Sequence, residues 1–270
     1  MNKLPAWEMI WWSFDAPATH SRALLRRLSV SYVVALSAAL LLLNGAHAVE
    51  GPLRSGIILL FFGTIALLQA NLWAGTPQVI LGLPERTSLI RLKGKELRTL
   101  LWFASLYLGF GIVLLVFVFI GVAVVGPDFA DTLDDPASSA TLSEQLTILV
   151  GFGIAMFLYA WVFLRMAPMF AVIAVENKIA IRKCWALTRN SSIRILWLLF
   201  VLSLVAGFVL VPAQLFYAFS RGNLLWTNIA MPIFLGANVA VGIVFASAST
   251  LIYQHLSAPQ RMTAEEETVE

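Results

Sequence analysis

Six long uncharged stretches, rich in Leu, Val, Ile, Phe and Ala, alternate along the chain with shorter segments that carry most of the charge. Their apolar cores lie at residues 28–48, 56–73, 100–125, 146–164, 195–217 and 229–253. A helix of about 20 residues crosses the hydrocarbon core of a bilayer, and continuous apolar runs exclude the alternating pattern of barrel strands. The pattern predicts an all-α polytopic membrane protein with six transmembrane helices.

The composition excludes a soluble domain. Of the 270 residues, 60% are hydrophobic and 12% charged, whereas soluble domains have about 45–50% apolar and about 25% charged residues. The single cysteine, Cys184, rules out an intrachain disulfide framework and a multi-cysteine metal site. A formal net charge of only +3 gives no reason to expect a nucleic-acid partner.

The positions of the basic residues predict the orientation. Sixteen of the 18 Lys and Arg residues lie in segments that six helices place on one side, and only Arg54 and Arg221 lie on the other. By the positive-inside rule, both termini are expected in the cytoplasm. Residues 1–27 then form a cytoplasmic interfacial segment, residues 28–253 the transmembrane domain and residues 254–270 a cytoplasmic tail.

One alternative concerns the first helix. The arginines before the first apolar run, followed by Ala46-His47-Ala48, also resemble a signal peptide with an A-x-A cleavage site. Cleavage after Ala48 would leave five transmembrane helices. The long preceding segment, with three tryptophans and Asp15, favours the six-helix interpretation.

The N-terminal segment has a helical apolar face. Trp7, Ile10, Trp11 and Phe14 fall at i, i+3, i+4 and i+7, and tryptophan favours the headgroup level of a membrane. Residues 5–14 are therefore expected to lie on the inner membrane surface. Asp15, which precedes Pro17, is expected to cap the helix that enters the first span.

A second amphipathic segment covers residues 176–190. A helical wheel places an apolar half, with Cys184, Trp185 and Leu187, opposite a basic half. Such a helix suits anionic lipid headgroups, but a connector that packs its apolar half on its own protein is an equal alternative. The candidate lipid- or partner-contacting residues of both segments are Trp7, Trp11, Lys178, Arg182, Lys183, Trp185 and Arg189.

A few polar residues fall at membrane depth. The candidates are Arg165, Gln69, Asn71 and Asn238. Arg165 is an intramembrane charge, with Glu176 as its partner, if residues 166–175 continue the fourth span; if Pro168 ends that helix, it is an interfacial anchor. Interhelical hydrogen bonds are the expected use of the three amides, and a substrate path is the alternative.

No pattern points to catalysis. His20, His47 and His255 stand alone, and Asp128, Asp131, Asp134 and Asp135 match no calcium-loop spacing and are expected to form a solvated external loop. Known nucleophile, zinc and phosphate-loop motifs are missing. The sequence therefore predicts no enzyme, no bound metal and no cofactor.

One segment resembles a known family. Trp185-Ala186-Leu187-Thr188-Arg189-Asn190, preceded by Pro168 and followed by Trp197-Leu198-Leu199, is similar to the S-W-x-L-T-[RK]-G-N segment of the membrane domain linked to bacterial glycerophosphoryl diester phosphodiesterases. Residues 251–256 resemble that group's closing L-Y-x-x-L. Cys184 stands where the family has serine, and the glycine is missing between Arg189 and Asn190. The resemblance implies a six-helix module of a bacterial inner membrane without the catalytic barrel.

These observations favour a non-catalytic membrane protein whose basic cytoplasmic surface contacts anionic lipid headgroups, in envelope or lipid homeostasis. A protein partner or a second copy of the chain remains an alternative occupant of that surface. A small-molecule or lipid transporter is the second hypothesis, and a lipid-modifying enzyme the third.

Overall fold

The computed structural model describes residues 4–83, 94–125, 142–220 and 223–267. In these ranges the chain forms nine helices and no strand. They are α1 (Ala6–Thr19), α2 (Ser21–Ala48), α3 (Pro52–Ile80), α4 (Lys95–Val125), α5 (Leu142–Arg165), α6 (Met169–Glu176), α7 (Ile181–Thr188), α8 (Ser192–Ser220) and α9 (Leu224–Glu267). The predicted all-α class is confirmed.

Six segments of the described chain are long and apolar enough to cross a membrane, which confirms the predicted number. Five of them lie in α2, α3, α4, α8 and α9, and the fourth, Val150–Glu176, includes most of α5 and all of α6. The helices extend beyond the predicted apolar cores at one or both ends. At a rise of 1.5 Å per residue, the 29 residues of α3 extend about 43 Å.

The chain divides into two compact units, Met1–Leu100 with Met166–Glu270, and Leu101–Arg165. In the first unit, α2 packs on α3, and α9 packs on both α3 and α8. Leu24 and Leu28 of α2 meet Leu72 and Val79 of α3 and Ala246 of α9 in one buried cluster. These contacts place the beginning of α2, the end of α3 and the second half of α9 at one end of the unit, called here the basic end.

Helix α6 lies inside this unit. Residues 169–174 are all buried, because α6 packs between α3 and α9. The Phe170 ring lies 4.3 Å from that of Trp73, and the hydroxyl of Ser249 donates to the carbonyl oxygen of Ala167 at 2.6 Å. A helix that is apolar all round must be surrounded in this way by protein or lipid. The apolar run after Pro168 is thus a core helix and does not continue α5.

The second unit contains a helical hairpin made from most of α4 and all of α5. Phe110 packs on Tyr159 at 5.2 Å, Phe117 packs on Phe152 at 5.2 Å, and the Tyr159 hydroxyl donates to the carbonyl of Leu106 at 3.2 Å. Paired aromatic rings therefore join the two helices along their length.

Candidate functional site

Helix α1 carries a buried stripe and an outward tryptophan face. Met9, Ile10 and Ser13 are buried, because α1 packs on α8 and α9. Trp7 and Trp11 are 60% and 64% exposed. Of the predicted apolar face, Ile10 therefore contacts protein, whereas Trp7 and Trp11 are exposed on the outside of the bundle.

The junction between α1 and α2 differs from the prediction. Asp15 lies within α1, which continues through Pro17 to Thr19, so the expectation that Asp15 caps the next helix is wrong. His20 precedes α2 instead, and its Nδ1 lies 2.9 Å from the carbonyl oxygen of Ala16. A proline removes only one backbone donor, and here the helix tolerates that loss.

A long-range hydrogen bond fixes the start of α1 to the bundle. The Arg194 guanidinium of α8 donates from Nη1 to the carbonyl oxygen of Leu4 at 2.9 Å, and Leu4 is buried. The Leu4 carbonyl also accepts from the backbone N–H of Ala6 at 3.0 Å, so Arg194 adds a second hydrogen bond there and links the start of α1 to α8. The tryptophan face is thereby held in one orientation on the bundle.

Helix α7 is divided in the same manner. Cys184, Leu187 and Thr188 are buried, whereas Ile181 and Trp185 are exposed beside Arg182 and Arg189. The sequence placed Cys184 and Trp185 on one apolar half and offered two uses for it. One stripe of this half, with Cys184 and Leu187, packs on the protein, and the adjacent stripe, with Ile181 and Trp185, is exposed next to the arginines.

Two lysines of the predicted basic half are engaged by Glu176. Lys178 Nζ lies 3.1 Å from one carboxylate oxygen, and Lys183 Nζ bonds the other. The hydrogen bond to Glu176 raises the pKa of Lys183, whose ammonium also lies 5.8 Å from the Tyr253 ring. Arg182 and Arg189 form no ion pair with any residue that the structure describes, so they are the cations that α7 offers outward.

A buried polar network lies at the basic end, and sequence reasoning missed it. The Arg27 guanidinium donates to Gln78 Oε1 at 2.8 Å and lies 3.9 Å from Glu96 Oε1. Glu96 and Gln78 are buried, and Arg27 is half-buried. The network joins α2, α3 and α4 through one cation, one amide and one carboxylate.

A hydrogen bond from Lys95, which is next to Glu96 in the sequence, connects α4 to α6 in the same region. Lys95 donates from Nζ to the carbonyl oxygen of Ala174 near the end of α6, where lysine also complements the helix dipole. Thr76 Oγ1 and Gln78 Nε2 are buried and bond no other described residue. The signal that could have revealed this region is the polar run Gly75-Thr76-Pro77-Gln78 at the end of an otherwise apolar helix.

Two of the three candidate intramembrane amides donate hydrogen bonds within their own helices. Asn71 donates to the carbonyl of Leu67 at 3.0 Å, and Asn238 donates to that of Phe234 at 2.8 Å. Gln69 lies next to Gly242, where a Cβ would be 3.4 Å from its Oε1. These positions serve helix structure and the close approach of α3 and α9.

Arg165 is the last residue of α5, and a three-residue turn with Pro168 follows it. Its residue surface is 9% exposed, and its guanidinium lies 4.9 Å from the centroid of the Trp161 ring. A guanidinium over an aromatic face gains a cation–π attraction. Arg165 thus stands at a helix end, but buried against an aromatic side chain.

Among the described residues, no three His, Cys, Asp or Glu side chains come close enough to hold a metal ion. The aspartates at 128, 131, 134 and 135 lie outside the described residues. In comparisons with protein-family models, curated proteins and solved structures, nothing matches this chain.

Proposed function

We propose that this integral membrane protein is non-catalytic and that its surface at the basic end binds anionic lipid headgroups, in envelope or lipid homeostasis of a bacterial inner membrane. The observation that carries the proposal is shared by α1 and α7. Each helix is fixed to the bundle by a buried stripe, and each turns tryptophan outward. We call this outward surface of α1 and α7 the tryptophan surface.

The chemistry of the tryptophan surface suits a membrane interface. Tryptophan favours the headgroup level because its ring is apolar and its N–H needs a polar partner. On α7, Ile181 and Trp185 supply apolar area next to the cationic Arg182 and Arg189. Each basic residue near an anionic leaflet contributes about 1 kcal/mol of attraction.

The proposed orientation places the basic end in the cytoplasm. The start of α2 and the second half of α9 share this end, as the cluster of Leu24, Val79 and Ala246 indicates. Most Lys and Arg residues flank the same ends of the helices, and that bias sets orientation in membranes. Both termini are accordingly cytoplasmic in this proposal.

A transporter has less support. It calls for polar groups that face a shared path, whereas Asn71 and Asn238 donate to carbonyls of their own helices. Among the described residues, no nucleophile lies next to a positioned base, so no geometry supports the enzyme hypothesis. Contact with lipid is the function that the tryptophan surface supports best.

Lipid enrichment around the full chain tests the proposal. The protein is extracted from membranes in polymer-bounded discs, and the ratio of phosphatidylglycerol to phosphatidylethanolamine is compared with that of the bulk membrane. We expect about twofold enrichment of the anionic lipid, lost in Arg182→Gln/Arg189→Gln. Arg54→Gln is the matched control, because Arg54 is exposed in the first turn of α3, at the opposite end. Equal ratios in all three proteins would overturn the lipid proposal.

A further inference from the structure

A groove of about 580 Å³ lies between α2 and α9, and Pro17 of α1 contributes to one end. Its wall on α2 extends from Ser21 to Val33, which at 1.5 Å per residue is about 18 Å. The hydrocarbon core of a bilayer is about 30 Å thick, so the groove has the length of one leaflet. Apart from two serines and one tyrosine, its walls are apolar.

A specific contact joins the two helices along this groove. The Tyr32 hydroxyl donates to the carbonyl oxygen of Pro232 at 3.0 Å. A Cβ at position 236 would lie 3.4 Å from that hydroxyl, so Gly236 lets α9 approach Tyr32 closely. Both Tyr32 and Gly236 line the groove, which is therefore a fixed feature of helix packing.

Two cations flank the end of the groove that lies near α1. Arg22 and Arg26 are one helical turn apart and exposed, and they neighbour the wall residues Ser21 and Leu25. Neither arginine forms an ion pair with the part of the chain that the structure describes. A guanidinium binds phosphate oxygens through paired hydrogen bonds, so this end suits a phosphodiester.

We propose that the groove binds one anionic phospholipid, with an acyl chain between α2 and α9 and its phosphodiester at Arg22 and Arg26. The proposal rests on the proposed function in one respect, since it needs the basic end to face an anionic leaflet. A second copy of the chain fits less well. In a two-fold symmetric interface the same patch meets itself, which would bring the arginines of both copies together.

A second groove provides an internal comparison. It has about 250 Å³, lies between α8 and α9, and includes Phe14 of α1. None of its wall residues has Lys or Arg as a neighbour in the sequence. Both grooves offer apolar walls, but only the α2–α9 groove combines them with adjacent cations, so selectivity for an anionic lipid is expected there alone.

Native mass spectrometry of the full chain in detergent tests the site. The probes are dioleoylphosphatidylglycerol and dioleoylphosphatidylcholine. We expect one phosphatidylglycerol to bind about tenfold more tightly than phosphatidylcholine, because both lipids carry a phosphodiester but the choline ammonium offsets the attraction of phosphatidylcholine to the two arginines. Arg22→Gln/Arg26→Gln should reduce its binding to the phosphatidylcholine level. Ser29→Trp, which fills the groove, should remove the adduct, whereas Val209→Trp in the second groove should keep it.

The possible outcomes separate the proposals. Equal binding of both lipids, or a phosphatidylglycerol adduct that survives both the charge and the groove variants, would overturn the lipid site. A dimer that Ser29→Trp abolishes would assign the groove to a second copy instead. If Ser29→Trp fails to fold, the arginine variant decides. A discrete phosphatidylglycerol adduct on a wild-type protein that shows no lipid enrichment in the discs would support the groove and contradict the tryptophan surface.

Discussion

The side chain of Arg27 lies against the backbone of Gly75, so closely that a Cβ at position 75 would be 2.7 Å from its Nε and 3.3 Å from its Cδ. Any side chain at this position would displace the guanidinium. Because that guanidinium bonds Gln78 and pairs with Glu96, displacement would leave an amide and a carboxylate buried without their partner. The absence of a side chain at position 75 thus leaves the room in which the Arg27 side chain makes these contacts.

Gly75→Leu should destabilise the protein by about 2 kcal/mol, the usual effect of breaking a buried polar contact. The measurement is chemical unfolding in detergent. Gly63→Ala is the control within the same helix, because a Cβ at position 63 meets nothing within 4 Å. Alanine is the better helix former, so the control should equal the wild type or exceed it by up to about 1 kcal/mol. Equal stability of the two variants would contradict the role of Gly75.

Arg27→Gln should lower the free energy of unfolding by about 2 kcal/mol, whereas Arg22→Gln should change it by less than about 0.5 kcal/mol. The difference arises because Arg27 serves buried partners and Arg22 is exposed. A double-mutant cycle with Glu96→Gln isolates the ion pair. If the two single effects simply add, Arg27 and Glu96 do not interact and the network is misassigned.

Cys184 should resist thiol reagents in the folded protein. It is fully buried, and burial raises the pKa of its thiol to about 12. Thiolate is the reactive form, and with this pKa almost none of the thiol is ionised between pH 7 and 9, so maleimide labelling should stay slow over that range, whereas denaturation in dodecyl sulfate should permit it. Arg182→Cys in a Cys184→Ala background is the exposed comparison and should label rapidly. Fast labelling of native Cys184 would show that α7 does not pack as described.

Lys183 should contribute more to stability than Lys178, although both bond Glu176. The Lys183 side chain is 38% exposed and lies by the Tyr253 ring, whereas the Lys178 side chain is 65% exposed. We expect Lys183→Ala to cost about 1 kcal/mol and Lys178→Ala less than about 0.5 kcal/mol in chemical unfolding. Equal losses would contradict the assignment.

The pH dependence of this pair has a definite sign. Its partner Glu176 raises the pKa of Lys183 above the ordinary 10.5, so the stabilisation is complete below pH 10.5 and is lost as the pH rises through the raised pKa. Measured in a Cys184→Ala background, the gap in stability between Lys183 and Lys183→Ala should therefore close in strongly alkaline solution. A gap that widens there would show the opposite linkage.

The sequence predicted the spanning helices well because a bilayer imposes one requirement, a long apolar run with internally bonded backbone. It could not predict the place of residues 169–174. An all-apolar segment is equally at home in lipid and in a protein core, and only the contacts of α6 with α3 and α9 decide between them. The six spans were thus predictable from the sequence, whereas the burial of α6 inside the first unit was not.

The candidate site, like the fold, was predictable from the sequence only in part. Helical periodicity identified Trp7, Trp11 and Trp185, but not which neighbours on each wheel would face protein, since that depends on α8 and α9. Charge counting treated Arg27 as one more cytoplasmic cation. Its bonds to Gln78 and Glu96 join positions 51 and 69 residues away, and single-sequence patterns do not reveal pairs at that distance.

The most direct test of the tryptophan surface is where α7 lies relative to lipid. In a Cys184→Ala background, Ile181→Cys carries a bimane label, and the full chain is reconstituted in bilayers with brominated phosphatidylglycerol or brominated phosphatidylcholine at equal mole fraction. Ile181 is exposed beside Arg182, so we predict quenching by both lipids, about twofold or more stronger with the anionic one. The preference should vanish in Arg182→Gln/Arg189→Gln. Equal quenching by the two lipids, or none by either, would contradict the account.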